Sequence, residues 1–91
     1  MNKNGKIDLD LIDKIRSGDQ AAFKKLFDTY HKTVFRLCSR MLRDLQEAED
    51  AAQEVFLRAY ANRERLRKVG SKRVAGYLFR MARNLCTDLL R

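Results

Sequence analysis

The sequence predicts an all-α fold, a compact bundle of about four helices with a basic loop before the last helix. Apolar residues recur at spacings of three and four along most of the chain, which is typical of amphipathic helices. The composition contains no proline and only 4 glycines, which disfavours a β fold with many tight turns. A chain of 91 residues has room for one hydrophobic core, so we expect residues 1–91 to form a single domain.

The first half of the chain predicts one short helix and one long helix. Apolar residues spaced by three run from Leu9 to Ile15, and Gly18 suits the end of that helix. Asp19 is placed to cap the second helix, whose apolar pattern extends to about Leu42. The residues expected on the inner side of the second helix are Phe23, Leu26, Phe27, Tyr30, Val34, Leu37, Cys38 and Met41.

The second half predicts two further helices and the loop between them. Asp44 followed by Glu47 resembles a capping box at the start of the third helix. The apolar period is lost from Asn62 to Arg73, where Gly70 and a high basic content indicate a loop. The residues expected on the inner sides are Ala48, Ala52, Val55, Phe56 and Ala59 in the third helix and Leu78, Met81, Ala82, Leu85 and Leu89 in the last.

The net charge of +8 is concentrated in the last third of the chain. Residues 62–91 hold nine Lys or Arg against two carboxylates and so carry +7 of that charge. Residues 44–57, in contrast, hold five carboxylates and no basic residue. One such run is often only the solvated face of a helix. Two runs of opposite sign favour two different partners, one of them a polyanion.

The outer side of the last helix predicts a nucleic-acid-binding face. Its helix residues, which follow one another at helical spacing, are Arg80, Arg83, Asn84, Thr87 and Arg91. Guanidinium groups suit phosphates, while an amide and a hydroxyl suit base edges. The loop before the helix adds Arg67, Lys68, Ser71, Lys72 and Arg73. We call these helix and loop residues the basic face; the alternatives are an idle basic surface and a surface for acidic membranes.

The outer side of the third helix predicts a protein-binding face. It consists of Glu49, Asp50, Gln53, Glu54 and Leu57, which we call the acidic face. A basic helix of a partner protein would complement its charge, and Leu57 offers that helix an apolar contact. The alternative is that the acidic face only balances the basic half of the same molecule.

The sequence gives no support for catalysis, and we expect a protein that is not an enzyme. His31, the one histidine, lies on the polar side of the second helix and is expected to be solvated. Cys38 fits the apolar stripe of that helix and Cys86 has no histidine near it, so we expect two reduced thiols, no metal and no cofactor. There is no membrane-length apolar run and no signal peptide, which predicts a soluble intracellular protein.

Three stretches of the chain resemble bacterial sigma factors of the extracytoplasmic-function (ECF) group. They are Gly18–Phe23 with the pattern that continues to Leu42, Glu47–Tyr60, and Tyr77–Leu85 with Asp88 and Arg91. Together they cover nearly the whole chain, in the order and at the spacing of the family. The resemblance implies sigma region 2, an all-helical domain that docks on RNA polymerase and opens the promoter at the −10 element in transcription initiation.

The same resemblance implies a role for each face. Asp50, Gln53 and Glu54 match the family's Asp-x-x-Gln-Glu pattern, which binds the clamp helices of the β′ subunit of core polymerase. The family's last helix and the loop before it hold the non-template strand of the −10 element, with one base flipped out. The residues that match these elements are Asn84, Arg80, Arg83, Thr87 and, in the loop, residues 67–73.

The chain departs from the family at three positions. Tyr77 stands where the family commonly has Trp, and Leu66 and Val74 stand where it has aromatic residues. Aromatic side chains stack on unpaired bases at about 1–3 kcal/mol per base. Their absence therefore bears on the strength of strand capture and not on the fold.

The resemblance also implies a cytoplasmic bacterial protein with an anti-sigma factor as a further partner. The family's −35-reading domain is absent, and the chain stops at Arg91 inside a helical pattern. We therefore expect the N-terminal part of a longer protein. Two alternative functions stay open: a duplex DNA-binding regulator with its last helix in a major groove, and a helical protein-interaction module.

Overall fold

The structure, a computed structural model, describes residues 7–91. Within them it contains five α-helices, one turn of 3-10 helix and no strand, which confirms the predicted all-α class. The elements are α1 (Leu9–Arg16), α2 (Gln20–Leu42), α3 (Leu45–Ala61), α4 (Arg65–Val69), the 3-10 turn (Ser71–Arg73) and α5 (Val74–Leu89). No helix in this part of the chain is both long enough and apolar enough to span a membrane.

The helix ends follow the capping residues. A carboxylate oxygen of Asp19 accepts a hydrogen bond from the backbone N–H of Ala22 at 3.1 Å, and Asp44 accepts one from Glu47 at 2.8 Å. Such caps satisfy backbone donors that the helix itself leaves free. Gly18, with φ of 95°, ends the connection from α1 in the left-handed region that glycine adopts without strain. Both predicted caps are confirmed.

Helices α2 and α3 pack side by side in opposite directions. The ring centroids of Phe23 and Tyr60 are 5.0 Å apart, and those of Phe27 and Phe56 are 4.9 Å apart. Residue numbers rise along α2 while they fall along α3, so the pair is antiparallel. The predicted inner residues of α3 are all buried, namely Ala48, Ala52, Val55, Phe56 and Ala59.

Helix α5 completes the frame and runs parallel to α2. The ring centroids of Tyr30 and Phe79 are 6.3 Å apart, and the buried thiols of Cys38 and Cys86 interact with each other. Residue numbers therefore rise together along α2 and α5. We refer to α2, α3 and α5 as the frame, because the two charged faces lie on its outer surface.

The segment predicted as a loop contains the short helix α4, so this part of the prediction was wrong. Leu66 is 0% exposed and holds α4 against the rest of the bundle, and Val74 is equally buried where α5 begins. Gly70 separates the two with φ of 83° and ψ of 155°, a conformation that is essentially restricted to glycine. The segment is therefore an ordered connection anchored in the core at both ends.

Polar contacts join α4 to α1. Arg16 donates to Glu64 at 2.8 Å, and this hydrogen bond raises the pKa of Arg16. Arg67 lies 3.3 Å from Asp13. Exposed ion pairs of this kind contribute little to stability because solvent screens them, so the burial of Leu66 contributes more to holding α4 than these contacts do.

Two leucines of the predicted apolar patterns are exposed. Leu89 is 57% exposed and Leu9 is 49% exposed. Each lies in a terminal turn of its helix, where the periodic pattern continues but the neighbouring helices no longer cover it. Leu85, one turn earlier in α5, is buried as predicted.

Candidate functional site

The acidic face lies along the outside of α3. Asp50, Gln53 and Leu57 are exposed and follow one another at helical spacing, with Leu57 65% exposed. Glu49 and Glu54 are half-buried and flank this row on its two sides. The structure thus places all five predicted residues on one surface.

The carboxylates of the acidic face differ in how far the protein neutralises them. Arg58 donates to Glu54 at 2.9 Å within α3, an i,i+4 pair that supports the helix. Asp50 accepts a hydrogen bond from the amide of Gln46 at 3.1 Å and pairs with no cation among residues 7–91. The charge of Asp50 is therefore available to an external cation.

His31 is not the solvated residue that the sequence predicts. Its ring stacks on Phe27, with ring centroids 4.5 Å apart, and its Nε2 is buried without a hydrogen-bond partner among the described residues. The same atom lies 3.6 Å from a carboxylate oxygen of Glu49, beyond hydrogen-bond distance. The packing of α2 against α3 turns His31 inward, which explains why the polar-side prediction was wrong.

Apolar grooves border the acidic face on both sides. Between α2 and α3, a groove of about 260 Å³ is lined by Phe23, Phe27 and Leu57, among others. Between α3 and α5, a groove of about 450 Å³ has Leu85 and Leu89 on one wall and carboxylates of α3 on the other. The exposure of Leu89 thus gives apolar surface next to acidic side chains.

The helical part of the basic face lies along the outside of α5. Arg80, Arg83, Asn84 and Thr87 are all exposed. Within the described chain, neither Arg80 nor Arg83 makes an ion pair. The face therefore offers unneutralised guanidinium groups beside a free amide and a hydroxyl.

The loop part of the basic face reaches the N-terminal end of α5. Lys68, Lys72 and Arg73 are exposed and Ser71 is half-buried. Because the 3-10 turn runs directly into α5, Lys72 and Arg73 stand within about 12 Å of Arg80 along the helix axis. The structure thus joins loop and helix residues into one surface, with Arg67 at its edge in an ion pair with Asp13.

One basic residue of this region has a structural role that the sequence analysis missed. The guanidinium of Arg63 lies 4.4 Å from the ring centroid of Tyr60, a cation–π contact. Its Nε also donates to the backbone carbonyl of Arg16 at 3.3 Å. The i,i+3 spacing of Tyr60 and Arg63 is the signal that could have indicated this contact.

The positions that lack the family's aromatic residues are largely core positions here. Leu66 and Val74 are each 0% exposed, whereas Tyr77 is half-buried. A fully buried side chain has no face to offer to a base. In this chain, Leu66 and Val74 anchor the basic loop.

The two cysteines are buried free thiols. Burial and the neighbouring thiol of Cys86 raise the pKa of Cys38 to about 12. Thiolates are the form that binds metals and reacts with electrophiles, so this pKa makes Cys38 a poor ligand and a poor nucleophile. Residues 7–91 contain no cluster of three or more metal-binding side chains.

Comparison with known proteins assigns this arrangement to a family. The model of sigma-70 region 2 matches residues 26–91. Among curated relatives, the chain is 40% identical over 80 residues to the ECF RNA polymerase sigma factor SigW of Bacillus subtilis, covering 88% of this chain and 42% of the relative.

Two further relatives give the same assignment. The RNA polymerase sigma-H factor of Pseudomonas aeruginosa is 35% identical over 83 residues, which cover 91% of this chain and 42% of that protein. The ECF RNA polymerase sigma factor BldN of Streptomyces coelicolor is 33% identical over 85 residues, 88% of this chain and 30% of that protein. The chain thus spans less than half the length of these relatives.

Proposed function

The chain belongs to the ECF sigma factors and carries their sigma-70 region 2, and from this premise we propose that it acts in transcription initiation by docking on core RNA polymerase and holding the −10 element of the promoter. The observation that carries this proposal is the pair of oppositely charged faces on neighbouring helices of one frame. Each face has the chemistry of a different partner. No step of this function requires catalysis by the chain.

The acidic face is the proposed polymerase-docking surface. Asp50 has no cationic partner among the described residues, and Leu57 is exposed two turns further along the helix. A basic helix with an apolar side chain would satisfy both, and the clamp helices of the β′ subunit are the partner that the family resemblance implies. The grooves beside the face offer further apolar contact to the same partner or to an anti-sigma factor.

The basic face is the proposed surface for the non-template strand. Exposed Arg80 and Arg83 suit phosphates, and Asn84 and Thr87 suit base edges. The helix before α5 has only five residues and packs through Leu66, so α4 and α5 do not form the two-helix unit of a major-groove reader. This supports a single strand over a duplex as the ligand.

The docking role is tested by reversing one charge. Asp50→Lys should weaken binding to core polymerase by about 10-fold or more, because it places like charges against each other, while helical content by circular dichroism stays that of the wild type. Asp10→Lys is the matched control, since Asp10 lies on α1 with its side chain 79% exposed. Wild-type affinity of Asp50→Lys, or an equal loss in Asp10→Lys, would refute the docking assignment.

A further inference from the structure

Helix α2 carries a row of basic side chains outside the acidic and basic faces. The row consists of Lys25, Lys32, Arg36 and Arg40, all exposed, which we call the α2 basic stripe. At 100° per residue they lie within about 80° of the helix circumference and extend over about 22 Å. They therefore form one continuous surface on the outside of the frame.

The α2 basic stripe is not neutralised by the protein. None of its four cations pairs with a carboxylate of residues 7–91. Other cations of the protein form such pairs. Lys24 lies 2.7 Å from Asp28 on the same helix, and Arg58 donates to Glu54 on α3. A row of unpaired like charges repels itself, and a polyanion relieves that repulsion.

The surroundings of the stripe favour phosphate over a protein partner. The exposed residues between its members are Asp28, which is paired with Lys24, and Thr33. The large exposed apolar residues of the described chain lie elsewhere, namely Leu9, Leu45, Leu57, Leu89 and Leu90. Protein interfaces usually have an apolar centre. A polar, basic surface without one suits a nucleic-acid backbone.

The packing of α2 against α5 sets the height of the stripe relative to the basic face. The contacts Tyr30–Phe79 and Cys38–Cys86 fix the register of the two parallel helices. Arg36 lies between Tyr30 and Cys38 along α2, and Arg83 lies between Phe79 and Cys86 along α5, so both stand at the same height of the frame. Tyr30 and Cys38, which contact α5, lie about 120–160° around α2 from Arg36, so a strand bound along α5 reaches the stripe only where it continues around the frame.

We propose that the α2 basic stripe is a second phosphate-binding surface, which holds the DNA strand where it continues beyond the segment bound by α5. This inference rests on the proposed function, because it requires that α5 and the basic loop hold a DNA strand. It adds a binding site on a face of α2 that lies outside the proposed docking surface. It also predicts that contact with this site depends on the length of the strand.

The test compares paired variants on single-stranded DNA of two lengths, about 6 and about 16 nucleotides. Arg36→Gln/Arg40→Gln removes two charges from the stripe, and Lys14→Gln/Lys24→Gln removes two charges from cations that are already paired. The dependence of binding on salt is measured by fluorescence anisotropy. On the longer strand, the stripe variant should lower the slope of log K against log salt by about 1.4, because each phosphate contact contributes about 0.7. The short strand should show the wild-type slope.

A third variant, Arg80→Gln/Arg83→Gln, separates this proposal from the proposed function. It should weaken binding to both strands. A wild-type slope for the stripe variant on the longer strand, with weakened binding of the α5 variant, would overturn the stripe and leave the proposed function in place. Wild-type binding of the α5 variant would overturn the strand-holding function and, with it, this inference. If the Lys14→Gln/Lys24→Gln control lowers the slope on the longer strand by the same amount, the change is a non-specific effect of charge. That result would overturn the proposed role of the stripe and leave the proposed function in place.

Discussion

The acidic face of α3 and the basic face of α5 lie on one frame and on helices of nearly equal length, 17 and 16 residues, yet they differ in more than charge. The acidic face has exposed Leu57 in its row and an apolar groove on each side. The basic face presents guanidinium, amide and hydroxyl groups from Arg80 to Thr87. Apolar surface beside charge is typical of protein interfaces, and unpaired cations beside polar groups are typical of nucleic-acid surfaces.

This difference shows that the sign of a charge identifies a partner less well than the surface around it. An acidic helix without Leu57 and the grooves could serve only to balance the molecule's own basic half. Ion pairing within the protein also distinguishes the carboxylates of the acidic face. Glu54 is neutralised by Arg58, whereas Asp50 has no cationic partner among the described residues and is available to an external one. A mutation in one face should therefore weaken binding to that face's partner and leave binding to the other partner unchanged.

The largest expected effect on stability comes from comparing two leucines, Leu66 buried beneath the basic loop and Leu57 exposed in the acidic face. Leu66→Ala should lower the free energy of unfolding by about 2–5 kcal/mol, because Leu66 is fully buried under the basic loop. Leu57→Ala should change it by less than about 0.5 kcal/mol, because Leu57 is exposed and its expected role is in docking. Urea unfolding of both variants measures the difference. Equal losses would contradict the separation of an anchored basic loop from an exposed docking contact.

A smaller effect should distinguish base reading from phosphate binding within the basic face. Asn84→Ala should reduce discrimination between −10 sequences by about 1–3 kcal/mol without changing the salt slope. Lys72→Ala should lower the slope by about 0.7 on every sequence. Fluorescence anisotropy on single-stranded variants at several salt concentrations measures both. If Asn84→Ala binds every sequence as the wild type does, the face binds phosphate only.

A further prediction concerns the frame that both faces share. Since the pKa of Cys38 is raised from 9.0 to about 12, the native thiol at pH 8 holds about 10³-fold less thiolate than an unfolded one, and its alkylation by iodoacetamide should be slowed at least as much. Fast alkylation in the native protein, relative to the same chain in urea, would show that α2 and α5 separate readily.

The same shift predicts how stability responds to alkaline pH. Below pH 9 the Cys38 thiol is protonated in both states, and its contribution to stability is fully present. Between pH 9 and about 12 the unfolded thiol ionises while the native one stays protonated, so stability falls as pH rises through this window. Cys38→Ala should remove this part of the pH dependence in urea unfolding.

The long elements of the fold were predictable because their patterns span several turns. Helix α2 repeats its apolar spacing over 23 residues, and the carboxylates of Asp19 and Asp44 mark where α2 and α3 begin. Helix α4 has five residues, too few to show a period, and only Leu66 and Val69 to bury. Its conformation depends on contact with the bundle, which a single sequence does not reveal.

The faces followed from helical geometry, whereas contacts between distant segments did not. Asp50 and Arg80 lie on outer surfaces as their spacing predicts. The pairing of Arg67 with Asp13 joins residues 54 positions apart, and the inward turn of His31 depends on Phe27 and α3. The α2 basic stripe was overlooked because the acidic residues of α3 nearly cancel its charge in the sum over residues 1–61.

The most direct test of the two-face account measures one variant of each face against both partners. Asp50→Asn and Arg80→Gln each alter one exposed charge, and each is assayed for binding to core RNA polymerase and to single-stranded −10 DNA. The account predicts that Asp50→Asn weakens only polymerase binding and that Arg80→Gln weakens only DNA binding. Equal weakening of both activities by either variant would contradict the account, and so would wild-type binding of both variants to both partners.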